Sequence, residues 1–121
     1  MTDKKQAKFI CLVYFDGKKL GSMSEAEKKA FDGSSFAYDQ TLEKSGHYII
    51  AEAFHSPKAA RTVTVRGKKV TVTEGPVKKA KEPLGGFILI RAGSMREAEN
   101  IAAGIPLAKL GSIEVRPIYE F

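Results

Sequence analysis

The spacing of hydrophobic and polar positions changes period several times along this chain, and each change marks an element. Lys8 to Phe15 is an apolar run of strand length in which both alternating faces are hydrophobic. Such a strand needs cover on both sides. Asp16-Gly17-Lys18-Lys19 ends it. Ser24 and Glu27 form a Ser-x-x-Glu pair, which starts a helix by satisfying free backbone N–H groups. Ala26, Ala30, Phe31, Ala37 and Leu42 follow at roughly helical spacing. Gly33-Ser34-Ser35 is placed to break or kink that helix, and Gly46 sits where a C-terminal glycine cap belongs.

His47 to Phe54 reads as a second strand. Two five-residue runs of alternating Thr and Val, Thr62 to Arg66 and Lys69 to Thr73, flank a Gly-containing turn. Strict alternation across a short turn predicts a β-hairpin. A Glu74-Gly75-Pro76 corner and a lysine-rich connector lead to Gly85-Gly86 and the apolar strand Phe87 to Ile90. Ser94 with Glu97 repeats the capping pattern, and Ala98, Ile101 and Ala102 mark a short helix stopped by Gly104 and Pro106. Ile113, Val115 and Ile118 supply a last strand.

The order is β-α-β, hairpin, β-α-β: an α+β chain with the ferredoxin-like split βαβ pattern and an inserted β-hairpin. Two helices cover one face of such a sheet. The first strand is apolar on both faces, so the other face is expected to meet a second copy in a sheet-to-sheet homodimer. At 121 residues the chain is read as one domain over 8–121 behind a flexible N-terminus at 1–7.

Charge alters this picture in one place. The net charge of +6 resides between Lys58 and Glu82, where eight basic residues face two acidic ones; the remainder balances at 12 against 12. Without aromatic side chains interleaved to stack bases, only weak, sequence-independent phosphate attraction is expected from it. Lysines that keep hairpin edges apart are the plainer account. The single cysteine, Cys11, lies in an apolar run and is expected to be a buried hydrophobe. The first residues, MTDKKQAKF, lack the apolar core of a secretory signal, and no apolar run approaches the ~20 residues of a membrane span. No membrane association and a cytoplasmic location are expected.

With these pieces in place, the chain resembles the YCII-related family, and more closely the branch named for a DGPF tetrapeptide. The matching pieces are FICLVYFDG at 9–17, AEAFHSP at 51–57, the Thr-Val hairpin, TEGPV at 73–77, KEPLGGFILI at 81–90 and GSIEVRPIYEF at 111–121. The resemblance implies a ferredoxin-like subunit of a dimeric α+β barrel with a pocket between sheet and helices. It also implies small-molecule chemistry: one known type eliminates chloride from a chlorinated hydroxyquinol, and some relatives are encoded with or fused to sigma factors. Two departures stand out. The tetrapeptide is Glu74-Gly75-Pro76-Val77 here, and the first helix has no histidine, whereas smaller relatives place one near the position of Ser35 in a proposed His–Asp pair.

The candidate chemistry centres on His55, at the end of the second strand, where an imidazole serves as general acid or base. By resemblance it falls on a position often occupied by His or Gln. Glu74 and Glu82 are the only carboxylates in the basic segment. Paired with His55, either fits proton abstraction or elimination in a lyase- or isomerase-like enzyme; salt bridges to neighbouring lysines are the plainer role. Tyr14, Asp16, Phe54 and Phe87 are the candidate pocket residues. His47 is read as a helix-end histidine. The two histidines are too far apart along an extended strand to share a metal, so no metal or cofactor is expected. Gly85-Gly86 precedes a strand rather than a helix, which excludes a phosphate loop and points to close backbone approach beside the pocket. The alternative to catalysis is a ligand-binding or regulatory partner, for example of a sigma factor.

Overall fold

The structure is a computed structural model, and it describes residues 6–120. The segment expected to be a flexible N-terminus lies outside the described residues up to residue 5. Strand β1 spans Ala7–Phe15, helix α1 Gly17–Gly21, α2 Glu25–Lys44, β2 Tyr48–Ala53, β3 Arg61–Arg66, β4 Lys69–Glu74, β5 Leu84–Ala92, α3 Met95–Ala103 and β6 Gly111–Pro117. Strands β2, β5, β1 and β6 form an antiparallel sheet in that order, while β3 and β4 form a separate two-stranded sheet. The architecture is α+β and consistent with the ferredoxin-like fold.

Strand alternation places the core. Phe9, Cys11 and Val13 of β1 and Ile88, Ile90 and Ala92 of β5 are buried on one face, against Leu42 of α2 and Ala98, Ile101 and Ala102 of α3. Cys11 is fully enclosed, and burial pushes its thiol up to about 11. The opposite face carries Ile10, Leu12 and Leu89, which are only half-buried, and Ile50 at 45 % exposure. Neither long helix packs there.

Helix α2 begins with the capping box seen in the sequence: Ser24 Oγ accepts from Glu27 N, and Glu27 Oε1 accepts from Ser24 N. It ends in a Schellman arrangement in which Gly46 (φ +82) donates to Glu43 O and His47 N donates to Leu42 O. Contrary to expectation, the helix runs unbroken through Gly33-Ser34-Ser35. Its inward stripe also differs. Phe31, Ser35, Tyr38, Asp39 and Leu42 face the interior, whereas Ala26, Ala30 and Ala37 are exposed. Alanine tolerates either surface; the bulk of Phe31, Tyr38 and Leu42 decides which way the helix turns. The Tyr38 hydroxyl donates to Ile101 O at 2.5 Å and ties α2 to α3.

Two local readings need amending. Asp16-Gly17-Lys18-Lys19 opens α1 rather than a plain turn, because Asp16 Oδ1 accepts from Lys18 N and caps the helix. At α3, Ser94 Oγ accepts from Glu97 N, but Glu97 Oε1 reaches Gly93 N at 2.8 Å instead of Ser94 N. Only half of that second capping box forms.

In the β3–β4 sheet Val63 pairs with Val72 and Val65 with Val70. Gly67, with φ +60, takes the first central position of the two-residue turn, as a type II′ turn demands. The four valines share one face and stand 55–61 % exposed.

Candidate functional site

Backbone hydrogen bonds prolong the pairings of both sheets into the segments that join them. Phe54 N donates to Gly85 O (2.8 Å), Phe15 N to Pro83 O (3.2 Å) and Gly75 N to Ala60 O (2.8 Å). The Thr62 hydroxyl adds a bond to Gly75 O (2.8 Å). Gly75 makes the corner with φ +94, a conformation that a side chain would resist. Pro57–Ala59 forms a short 3₁₀ turn capped by Ser56. The connector 76–83 then returns along the hairpin base and encloses a cavity of about 820 Å³.

Four of the sequence-predicted residues, Tyr14, Phe54, His55 and Glu82, line that cavity, together with Lys78 and Leu84. The lining is mainly apolar with a few polar groups, the usual make-up of a small-molecule site. Glu74 lies next door, in a cavity of about 510 Å³ that it shares with Lys58 and Lys79. Phe87 is not part of the His55 cavity wall, but its ring stands 6.0 Å from that of Phe54 at an interplanar angle of 51°. That tilted contact braces Phe54 from behind. Asp16 is set apart from this group as the cap of α1.

The polar groups are engaged as follows. Glu82 pairs with Lys19 of α1 at 3.8 Å and Glu74 with Arg61 at 4.0 Å; both are exposed pairs of small energetic worth. His55 is exposed and makes no hydrogen bond or ion pair among the described residues. The Tyr14 hydroxyl donates to Glu114 Oε1 (3.2 Å), and Arg116 Nε donates to the other oxygen of the same carboxylate (2.7 Å). Burial first, and then the Glu114 carboxylate, raise the Tyr14 hydroxyl above its ordinary range. The bond from Arg116 leads in lowering that of Glu114. Tyr14 therefore presents a fixed, protonated ring to the cavity.

His47 stands at the end of α2, as expected, and its ring adds a contact to β5. Its Nδ1 lies 2.8 Å from Arg91 O, and since a carbonyl only accepts, Nδ1 carries the proton. The imidazole joins the end of α2 to β5. Among the described residues no group of His, Cys, Asp and Glu is arranged to hold a metal ion, and no helix is long and apolar enough to cross a membrane.

A third cavity, of about 210 Å³, lies between α2 and the sheet. Ser35 and Asp39 project into it from α2, over Gly85 and Gly86 of β5, with Ile105 and Leu107 at its side. Burial raises the Asp39 carboxyl above the usual carboxylate range. Sequence reasoning passed over Asp39, yet the signal was present: Ser35 and Asp39 fall at i and i+4 within the stripe of Phe31, Tyr38 and Leu42. Polar residues on an otherwise apolar helical face mark a buried pairing or a pocket.

Comparison with curated proteins finds no match to this chain. A family model described as the YCII-related domain matches residues 7–121. The match spans every element from β1 to β6, and the chain belongs to the YCII-related family.

Proposed function

We propose that this chain is a homodimeric small-molecule-binding protein of the DGPF-type branch, whose ligand occupies the cavity at the hairpin base. The observation that carries the reading is the convergence of Tyr14, Phe54, His55, Lys78 and Glu82 on one cavity of about 820 Å³, within the size range of ligand sites. Glu82 is already partnered by Lys19, so Lys78 and His55 leave the cavity with a surplus of cationic and donor groups. An aromatic or similarly flat molecule bearing a carboxylate or phenolate fits that balance. Titration with benzoate and 4-hydroxybenzoate, followed by calorimetry, tests it. Binding should weaken about tenfold in both His55→Ala and Phe54→Ala, since each loses a charge-assisted hydrogen bond or an aromatic wall. Equal binding by the native chain and both variants would overturn the reading.

The dimer rests on the second face of the sheet. Ile10, Leu12, Ile50 and Leu89 offer a contiguous apolar surface, flanked by charges of both signs in Glu52, Arg91, Glu114 and Arg116. A surface carrying both signs around an apolar centre suits pairing with its own copy about a two-fold axis. The valine face of the hairpin, also exposed, is a further apolar surface for the same interface to cover. Light scattering should give about 26 kDa, twice the 13.2 kDa of the chain.

A second reading keeps the same cavity and adds catalysis. His55 and Glu82 line the same cavity without a bond between them, and in this reading a bound substrate brings them into play as an acid–base pair for elimination or isomerisation. Glu82 would have to leave Lys19 for this, at the small cost of an exposed pair. Turnover that is lost in His55→Gln while ligand binding is kept separates this reading from binding alone.

A further inference from the structure

Asp39 has no counter-charge. Among the described residues it forms no ion pair or hydrogen bond, and no lysine, arginine or histidine lines the cavity below α2. Lys44, which shares an adjoining surface groove with Asp39, forms no ion pair with it. The Ser35 hydroxyl, one helical turn earlier on the same face, is likewise unpaired. Opposite them the walls are Val13, Ile88, Ile105 and Leu107, and the floor is the backbone at Gly85 and Gly86. Glu52 also borders the cavity, but strand alternation sends its side chain to the other face of β2, so its backbone is what the cavity meets.

A half-buried carboxylate without a partner is costly, and the cost falls when a donor is brought to it. Here the chain brings none. Water or a ligand supplies the donor, and the other side chains that face the cavity are apolar.

We propose that Ser35 and Asp39 form the polar end of a second binding site, separate from the hairpin-base cavity, which takes a small primary ammonium compound with an apolar body. The ammonium group donates to the Asp39 carboxylate and to Ser35 Oγ, while the hydrocarbon lies against Ile88, Ile105 and Leu107. A volume of about 210 Å³ is below that of sites for drug-sized ligands, so the occupant is small. The helix is held for this purpose from its own neighbouring residue: Tyr38 is anchored to Ile101 O, which fixes the height of Ser35 and Asp39 above the sheet. The two cavities thus carry opposite preferences, anions at the lysine-bearing hairpin base and cations beneath α2.

The test is nuclear magnetic resonance of the whole isotope-labelled chain, titrated separately with n-butylammonium, n-butanol and butyrate. Butylammonium should move the amide signals of Gly86, Ile88 and Ile105 saturably; butanol should do so more weakly and butyrate not at all. Asp39→Asn should weaken the ammonium response about tenfold or more, because a charge-assisted hydrogen bond is lost, and Ser35→Ala should weaken it less. Melting of Asp39→Asn at about pH 7 should occur at the native temperature or above. Equal responses in the native chain and Asp39→Asn, an equal response to butyrate, or no saturable shift with the amine would overturn the proposal. So would a lower melting temperature or failure to fold in Asp39→Asn, since Asp39 would then be serving the fold.

Discussion

Replacing Val63 and Val72 together with serine should weaken the dimer by about a thousandfold while leaving the subunit folded. The two residues are cross-strand partners in the β3–β4 sheet, 60 and 61 % exposed, so their side chains support each other but little else in the chain. Fully burying a valine contributes about 1.5 kcal/mol or more, and some three-fifths of each surface is still to be covered, which leaves about 1 kcal/mol per valine for the interface. Two valines in each of two copies give about 4 kcal/mol, or a factor of about 10³ in the dissociation constant. Desolvating the new hydroxyls adds to the loss. Sedimentation equilibrium across the micromolar range, with melting curves as the folding control, reads this directly. A dissociation constant unchanged from native would remove the hairpin from the interface. A monomeric native chain at micromolar concentration would remove the interface altogether.

Three further expectations concern the subunit itself. Ile90 is fully enclosed in the core cluster, so Ile90→Ala should cost about 2–5 kcal/mol in urea unfolding, and a loss under about 1 kcal/mol would show that α2 and α3 collapse onto the gap. Cys11, with its thiol pushed up to about 11 and no exposed surface, should resist thiol reagents at about pH 8 until the chain is unfolded; rapid labelling of the native chain would contradict this. Asp39 is raised above its unfolded value, so its protonated form is the one that folding favours, and the stability it removes is absent in acid and grows as pH rises through the folded value. Asp39→Asn should accordingly gain most over the native chain at about pH 7 and nothing at about pH 3, where both side chains are neutral; the same difference at both pH values would refute the assignment.

Local chemistry was readable wherever it involved neighbours in sequence. Ser24 and Glu27 close their capping box, and Gly46 ends α2 with a positive φ, because each satisfies backbone groups within one turn. His55, Glu82, Tyr14 and Phe54 line one cavity, and their places at strand ends and at the hairpin base were legible in the sequence. What could not be read was set by distant packing. Gly33-Ser34-Ser35 favours a break, but the burial of Phe31, Tyr38 and Leu42 on either side of it holds the helix through, and tertiary packing outweighs a glycine cost of about 1 kcal/mol. The half-formed box at Ser94 is a local exception: Gly93, just after β5, offers Glu97 an N–H one residue earlier. Glu82 meets Lys19 across 63 residues, and spacing says nothing of that encounter.

Gly85-Gly86 explains why two cavities meet at the same point of the sheet. Val13 pairs with Gly86 and Tyr14 with Leu84, so Gly85 is the extra residue of a bulge in β5. A Cβ on Gly85 would lie 2.9 Å from Phe15 Cδ1, and one on Gly86 would lie 2.7 Å from the Glu52 carbonyl oxygen. Gly86 therefore excludes larger residues by backbone contact rather than by dihedral, whereas at Gly85 the Phe15 ring would have to turn aside. The bulge bends β5 so that Leu84 faces the hairpin-base cavity while the next two residues floor the cavity beneath α2. The backbone bond from Phe54 N to Gly85 O holds the start of the His55 segment to that same bend. A side chain at Gly86 would push β2 away, and with it the wall that Ala51 and Ala53 give the cavity beneath α2. The steric requirement at this bend thus falls on two adjacent residues, while the hairpin, the connector and the polar face of α2 carry the chemistry.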